Sequence, residues 1–287
     1  MKTPQVIEGL THEEYAKIDA EHSGVLQRAL VSPLAYRVAK DQEAAGVDED
    51  RDCLRLGRAI HTAALEPKLF ARLYVCWSGG RRAGKEWDAY VADAESRGAT
   101  ILKEDQLDQA VAMAKAVRSH PIAGPLVTAP GRSELTIVWT HPRTGVLIKC
   151  RLDRLLLSAV LLDLKSTRDP KPARFASQAA GMGYHIQMAL YSDAVAAAGL
   201  GAVATKIVAV QSAAPFDVVV YSLDEELLTA ARFEYERALD LIVECRSSGK
   251  WPGQAETEEV PLKLPAWIAS DGGPVVEFGN EPIGNVG

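Results

Sequence analysis

A strand-like stretch with charges set into it, residues 146–167, constrains this chain more than any other feature. Apolar and polar residues alternate over residues 148–153, a period of two that predicts a β-strand with one buried face. The rest of the stretch is largely apolar, but Asp163 and Lys165 lie two residues apart, so a strand would place them on one face. Because charges in a buried strand are costly unless they are used, we expect a functional site here.

A turn at residues 158–159 would fold this stretch into a hairpin and bring Asp153 beside Asp163. Two neighbouring carboxylates repel each other, and a divalent cation bound to both relieves that repulsion. Hard oxygen ligands suit Mg²⁺, with Mn²⁺ as a possible substitute. We therefore expect Asp153 and Asp163 to bind a metal, and Lys165 to orient a water nucleophile and offset negative charge in the transition state. The alternative is a hairpin with solvated charges.

The remaining pattern predicts an α/β protein with a helical N-terminal part (about 1–125) and a mixed-sheet part (about 126–250) in one domain over residues 1–253. A loosely ordered tail, rich in Pro, Gly and Glu, is expected over residues 254–287. Helices are predicted at 24–40, 52–65, 86–95, 103–119, 171–180, 184–198 and, from a capping box at Ser222, up to 248. Strands are predicted at 134–140, 146–157, 160–167, 204–210 and 217–222.

Composition excludes several classes of protein. The 4 cysteines are scattered without a CxxC pair, so neither a zinc site nor a disulfide framework nor an iron–sulfur cluster is expected. No apolar run reaches the about 20 residues that span a bilayer, and the N-terminus lacks the apolar segment of a secretory signal. We expect a cytoplasmic protein with no membrane partner.

Charge is distributed unevenly along the chain. The net charge of −6 argues against a surface that coats DNA non-specifically. Residues 141–175, however, carry eight basic side chains against three acidic ones. Such a segment is compatible with phosphate binding in a confined channel. The candidates for contacts to a DNA backbone are Arg168, Lys171 and Arg174, and, in a glycine-containing loop further upstream, Arg81, Arg82 and Lys85.

An ordered set of residues resembles a known family. Asp153 and Asp163-Leu-Lys165 are preceded by His61 and Glu134 and followed by Gln187-x-x-x-Tyr191. This set resembles the PD-(D/E)XK nuclease superfamily, in particular the RecB-type nucleases and, among them, the RecE-like exonucleases of phages and prophages (exodeoxyribonuclease VIII). The likeness extends over about residues 15–253 and implies a restriction-endonuclease-like core with a mixed central sheet.

The resemblance also implies roles for further residues. His61, in a Gly-x-x-x-His helix, would approach the metal, although a histidine in an apolar helix is more often a core residue. Glu134 would lie at the metal site, directly or through water, although a glutamate near a strand end is usually just exposed. Gln187 and Tyr191 share a helix face and would hydrogen-bond near the scissile phosphate or to Lys165. Their alternative is an ordinary amphipathic helix.

The implied activity is a metal-dependent exonuclease that degrades linear double-stranded DNA from 5′ to 3′ and leaves 3′ single strands for recombination. Its relatives assemble into ring-shaped homo-oligomers, so a trimer or tetramer is expected, and a single-strand annealing protein is an expected partner. Two alternatives remain open at this point. One is an endonuclease or a Cas4-like end-trimming nuclease on the same core, and the other is a non-catalytic DNA-binding module.

Overall fold

The computed structural model describes residues 3–46 and 52–263. The helices are α1 (His12–Ala16), α2 (Ser23–Val31), α3 (Pro33–Ala44), α4 (Asp52–Leu65), α5 (Pro67–Leu73), α6 (Lys85–Ser96), α7 (Glu104–Ser119), α8 (Ala123–Thr128), α9 (Pro172–Gly181), α10 (Tyr184–Ala197) and α11 (Glu225–Ser248). The strands are β1 (Gln5–Ile7), β2 (Tyr74–Cys76), β3 (Thr100–Leu102), β4 (Gly131–Thr140), β5 (Leu147–Leu156), β6 (Val160–Thr167), β7 (Ala204–Gln211) and β8 (Val218–Leu223).

A six-stranded mixed sheet forms the centre of the fold, in the order β1-β4-β5-β6-β7-β8. Within this sheet only β6 and β7 pair in parallel, because α9 and α10 form the crossover between them. The other pairs in this sheet are antiparallel. A separate parallel pair, β2 with β3, lies in the helical N-terminal part. The mixed sheet with helices is the architecture that the sequence predicts.

Helices cover both faces of the sheet, and the alternation along β6 shows how. Leu161 belongs to a core cluster that includes buried residues of α2, α10 and α11. Leu162 and Leu164 belong to a second cluster, with buried residues of α4, α7 and α8. Since successive side chains of a strand point to opposite faces, one strand supplies both cores. The site described below is built on β5 and β6, between the helices of the two faces.

Two predicted boundaries are wrong for local reasons. The helix predicted over residues 24–40 is two helices, because Ser32 is extended (φ −168°, ψ 154°) before Pro33 and its hydroxyl accepts from the N–H of Ala35 at 3.1 Å. The last helix is capped by Asp224 and not by a box at Ser222, since β8 continues to Leu223. The short elements β1, α5, β2, β3 and α8 were not predicted, because three to seven residues carry too little periodicity.

The chain divides into two compact units, Met1–Pro252 and Gly253–Gly287, and every helix and strand above lies in the first. Residues 254–263 of the predicted tail contain no helix or strand, and residues 264–287 lie outside the described part of the chain. None of the described helices is both long and apolar enough to cross a membrane.

Candidate metal centre

The site lies where β5 and β6 separate. Their ladder consists of three pairs and ends at Arg154–Leu162, so Asp153 and Asp163 are the next residues on the two strands. Beyond that point the N–H of Leu164 donates to Asp153 Oδ2 at 2.7 Å, where a regular ladder would have used a backbone carbonyl. The Asp153 carboxylate thus lies between the two strands at the point where they separate. The predicted hairpin does place Asp153 next to β6.

Glu134 enters the same site from β4 through an unusual backbone conformation. Its φ is +53°, in the left-handed region that a side chain with a Cβ rarely adopts. The β4–β5 ladder pairs Ser133 with Arg154 and Leu135 with Leu152, so Glu134 and Asp153 are opposed but not paired. A left-handed residue costs about 1–3 kcal/mol and persists where the surrounding structure imposes it, often at functional sites.

His61 completes a group of three potential ligands. It lies on α4, whose neighbouring residues Ile60 and Ala64 are buried in the second core cluster. Its Nδ1 is 3.2 Å from Asp153 Oδ2. One ligand atom from each of His61, Glu134 and Asp153 lies within 4.8 Å of the others. The site therefore brings together one imidazole and two carboxylates from three separate elements.

Asp163 lies outside this group of three, because its two oxygens face other partners. Gln187 on α10 donates to Oδ1 at 2.9 Å, and Lys165 Nζ lies 2.8 Å from Oδ2. Among the described residues, this buried oxygen has the ion pair with Lys165 but no hydrogen-bond partner. Lys165 and Asp163 share a strand face, and the Asp163 side chain is only 1% exposed.

A second partner holds the ammonium of Lys165. Its Nζ lies 4.9 Å from the centre of the Tyr184 ring, over the ring face. The Tyr184 hydroxyl accepts from Gln178 Nε2 at 3.2 Å, and the Gln178 side-chain oxygen accepts from Thr167 at 2.6 Å. This chain of contacts ties the ring back to β6, two residues beyond Lys165. The ammonium is thus held between a carboxylate and an aromatic face.

Electrostatics divide the carboxyl groups of the site. Burial raises the pKa of Asp163 to about 6; the Lys165 charge acts against this shift and the Asp153 charge adds to it. Burial would also raise the pKa of Asp153, but His61 and Lys165 bring it below its ordinary value. Burial and the Asp153 charge raise the pKa of Glu134, although Arg151 at 2.5 Å opposes them.

The two basic groups respond to the same charges. Burial by itself would lower the pKa of His61, yet the Asp153 carboxylate raises it overall. The pKa of Lys165 is likewise raised, because Asp163 and Asp153 outweigh the effect of burial. The raised pKa values of both groups therefore favour their charged forms beside the carboxylates.

This donor set fits a divalent cation. One ligand atom from each of two carboxylates and an imidazole lies within 4.8 Å of the others, and among the described residues the buried Asp163 Oδ2 has no hydrogen-bond partner. Carboxylate oxygens favour Mg²⁺ or Mn²⁺, and an imidazole ligand is compatible with Mn²⁺. A bound cation would balance the charge of these carboxylates, and His61 would bind it through a neutral imidazole.

Neither Tyr191 nor the predicted DNA-binding residues belong to the group of three ligand candidates. Tyr191 is buried at 7% exposure in the first core cluster, and burial raises its pKa well above the ordinary value. The basic candidates all have exposed side chains: Arg81 and Arg82 lie in the loop before α6, Lys85 is the first residue of α6, Arg168 and Lys171 lie between β6 and α9, and Arg174 lies in α9. Their predicted roles in DNA contact and catalysis remain predictions.

The expected basic segment, residues 141–175, is only partly available to a ligand. The Lys149 ammonium is buried and donates to the carbonyls of Tyr15, Ala16 and Ile18 at 2.8–3.2 Å. Arg154 is buried, with bonds to Ser133 and to the Ala129 carbonyl. Counting these charges toward phosphate binding was therefore wrong, because long-range backbone contacts occupy them.

Sequence reasoning missed Tyr184 and Gln178. The sequence did contain a pattern that points to Tyr184. It precedes Gln187 by three residues and Gln187 precedes Tyr191 by four, so the three side chains share one helix face. Nothing in the sequence pointed to Gln178, because its role depends on the packing of α9 against the end of β6.

Comparisons with known proteins agree with this fold. The family described as PDDEXK-like domain of unknown function (DUF3799) matches residues 28–261. No curated protein matches the sequence. A solved structure from Eubacterium rectale, of a protein provisionally named an exonuclease, has a TM-score of 0.57 at 13% identity and covers 92% of this chain and 99% of that chain. For a phage-related exonuclease from Haemophilus somnus 129PT the TM-score is 0.32 at 12% identity, with 80% and 96% covered.

At 13% identity, the similarity to the Eubacterium rectale structure shows a shared fold. The family match shows more than the fold, since it extends over more than half of the chain. The matched range, residues 28–261, contains the positions of His61, Glu134, Asp153 and the Asp163–Lys165 pair. The chain therefore belongs to the PDDEXK-like family DUF3799, and with it to the PD-(D/E)XK nuclease superfamily.

Proposed function

We propose that this protein is a metal-dependent exonuclease that acts on the ends of linear double-stranded DNA. The observation that carries the proposal is the convergence of His61, Glu134 and Asp153 beside the buried Asp163–Lys165 pair. Three ligand candidates next to a fixed ammonium match the needs of phosphodiester hydrolysis, in which a nucleophilic water and a developing negative charge must both be positioned. The membership in the superfamily supports the same chemistry.

His61, Glu134 and Asp153 would hold one Mg²⁺ or Mn²⁺ ion, with Asp163 next to them. When bound, such an ion polarises the phosphate and lowers the pKa of a water ligand. Lys165 would stabilise negative charge on the phosphorane-like transition state, because its ammonium is held at a fixed position by Asp163 and Tyr184. Gln187 keeps Asp163 oriented through its 2.9 Å hydrogen bond.

The basic side chains that follow β6, in the loop before α9 and in the first turn of α9, would bind the DNA backbone. Arg168, Lys171 and Arg174 are exposed and follow Lys165 by three to nine residues. Phosphate contacts from arginine and lysine position a duplex without reading its sequence, as an exonuclease requires. Each such contact would also make binding weaker at high salt.

The finer parts of the proposal rest on the resemblance to RecE-like enzymes. They are 5′-to-3′ polarity, 3′ single-stranded products used in recombination, a ring-shaped trimer or tetramer, and a single-strand annealing partner. Light scattering on the purified protein tests the oligomer, since a mass near 31 kDa would contradict a ring. Affinity capture of a co-expressed annealing protein tests the partner.

The activity itself is tested with end-labelled linear duplex and covalently closed circles, each incubated with Mg²⁺ or with EDTA. Wild-type protein, Lys165→Ala and Lys206→Ala are compared. Lys206 is a matched control, because it lies on the neighbouring strand β7 and its Nζ donates to Ser222 at 2.8 Å.

We expect loss of the linear DNA alone, only with Mg²⁺, and in the wild type and Lys206→Ala but not in Lys165→Ala. The labelled end then gives the polarity. Cutting of the circles would replace the proposal with an endonuclease. No metal-dependent loss of either substrate would leave a DNA-binding module on a nuclease fold.

A further inference from the structure

Three aromatic rings cluster beside the small parallel pair β2–β3. The Trp77 ring centre lies 5.7 Å from that of Trp87 and 5.0 Å from that of Tyr90. Trp87 and Tyr90 are three residues apart on α6, with nearly parallel rings 6.3 Å apart. All three side chains are partly exposed. The Tyr90 hydroxyl donates to the Cys76 carbonyl at 2.8 Å, which fixes α6 against the end of β2.

One arginine side chain contacts these rings, and two further basic residues lie near it in the sequence. Arg82 lies with its guanidinium 5.4 Å from the centre of the Trp87 ring, and its Nη2 donates to the Leu102 carbonyl at 2.9 Å. Its side chain is nevertheless exposed, so a fixed, planar cation faces solvent. Arg81 in the same loop and Lys85, the first residue of α6, are also exposed. Packing of a local core accounts for the rings, but it gives no reason for three basic residues within five positions.

The loop is shaped to hold this arrangement. The Trp77 ring lies so close to Gly79 that a Cβ there would be 2.1 Å from a ring carbon. Gly84, just before α6, has a φ of +92°. Glycine is the residue that allows both a close approach and a positive φ without strain. The glycines therefore support a defined position of the aromatic and basic side chains.

The strand β2 connects the cluster to the part of the fold that carries His61. Tyr74, the first residue of β2, packs against the second core cluster, to which Ile60, the residue before His61, belongs. Trp77 follows Tyr74 by three residues of mostly extended chain, a span of about 10 Å. A strand of DNA with its end at the metal centre could therefore extend to the rings.

We propose that this aromatic–basic surface binds single-stranded DNA next to the nuclease site, and define it by Trp77, Arg81, Arg82, Lys85, Trp87 and Tyr90. Unpaired bases stack on aromatic side chains and on guanidinium planes, whereas the bases of a duplex are already stacked on each other. Glu86 and Asp88 follow Lys85 on α6, which confines the positive charge of the surface to residues 81–85. The inference rests on the proposed function in one respect: the nuclease reaction is the source of the single strand.

The test is fluorescence anisotropy of a labelled oligothymidylate in EDTA, where no metal-dependent cleavage occurs, with a duplex of the same length in parallel. Trp87→Ala is compared with the wild type and with Arg97→Ala. Arg97 is the control because it follows the other end of α6 and pairs there with Asp93. Trp87→Phe, which keeps a ring, and thermal melting of every variant show whether the fold is intact.

We expect Trp87→Ala to weaken binding of the single strand by about 5- to 150-fold, equivalent to about 1–3 kcal/mol. Trp87→Phe should restore most of the affinity, and duplex binding should change little. The inference is overturned if Trp87→Ala binds the single strand like the wild type, or if it loses single-strand and duplex binding equally. Since these measurements need no cleavage, a protein that binds the oligonucleotide but degrades nothing would contradict the proposed nuclease and leave this surface standing.

Discussion

Replacement of Tyr184 by leucine should slow DNA cleavage without changing substrate binding. The Lys165 ammonium lies 4.9 Å from the Tyr184 ring centre, and its side chain is 16% exposed. A cation over an aromatic face in such a desolvated position is worth about 2 kcal/mol. Because each 1.36 kcal/mol in the barrier is a factor of ten, kcat should fall by up to about 30-fold in Tyr184→Leu.

Tyr184→Phe separates the ring from the hydroxyl. It keeps the aromatic face under Lys165 and loses only the hydrogen bond from Gln178, which still contacts Thr167 and the Ser166 carbonyl. We therefore expect Tyr184→Phe to cleave at close to the wild-type rate. A return of activity with phenylalanine would identify the ring face as the feature that positions Lys165.

Tyr221→Leu is the matched control for lost packing. The rings of Tyr184 and Tyr221 both pack on Phe175, with centres 6.1 and 4.8 Å away, but the Tyr221 hydroxyl donates to the Pro170 carbonyl and its ring has no cation–π contact with Lys165 among the described residues. Single-turnover decay of end-labelled linear duplex at saturating protein gives the rate, and Tm gives the stability. Wild-type cleavage by Tyr184→Leu, or equal slowing by the phenylalanine and leucine variants, would refute the reasoning.

Three further predictions concern the ligands and one distant carboxylate. His61→Ala should raise the Mn²⁺ concentration for half-maximal cleavage at least about tenfold, and an unchanged metal titration would remove His61 from the ligand set. Glu134→Gly and Glu134→Ala should both lose cleavage. In urea unfolding the glycine variant should be about 1 kcal/mol more stable than the alanine variant, because glycine adopts the φ of +53° at this position without strain. Equal stabilities of the two variants would argue against backbone strain at this position. Burial acts to raise the pKa of Glu43, yet ion pairs with His22 and Lys40 lower it from 4.5 to about 2. Its carboxylate therefore stabilises the fold above about pH 4.5 and less as pH falls toward 2, so Glu43→Gln should lower Tm at pH 6 and have little effect near pH 2.

Much of the central sheet could be predicted from local pattern. The strand over residues 160–167 agrees in both boundaries with the structure, and the helix predicted at 52–65 does so too. Alternating side chains identify a strand face, and the spacing of Asp163 and Lys165 places both on one side. The break at Pro33 was equally local, since proline restricts the residue before it, and attention to that rule would have found it.

The candidate site was only partly predictable. Its residue types and order resemble the family, so Asp153, His61 and Glu134 could be named as candidates from the sequence. The point at which β5 and β6 separate decides how these residues are grouped. Asp163 faces Lys165 and Gln187, whereas Glu134 joins His61 and Asp153. Strand separation is a property of three neighbouring strands and has no signature in one of them.

The class of fold, the strand faces and the chemistry of the ligand candidates could be inferred without a structure, because side-chain period and residue type are local properties. The tertiary structure decided which charges are free to act. Lys149 and Lys165 both follow apolar strand positions, yet backbone carbonyls more than 130 positions away in the chain hold the first, while a carboxylate and an aromatic ring hold the second. The residues next to a lysine in a strand do not show which group its ammonium will contact. The energy of a buried charge depends on groups that the fold brings to it from distant parts of the chain.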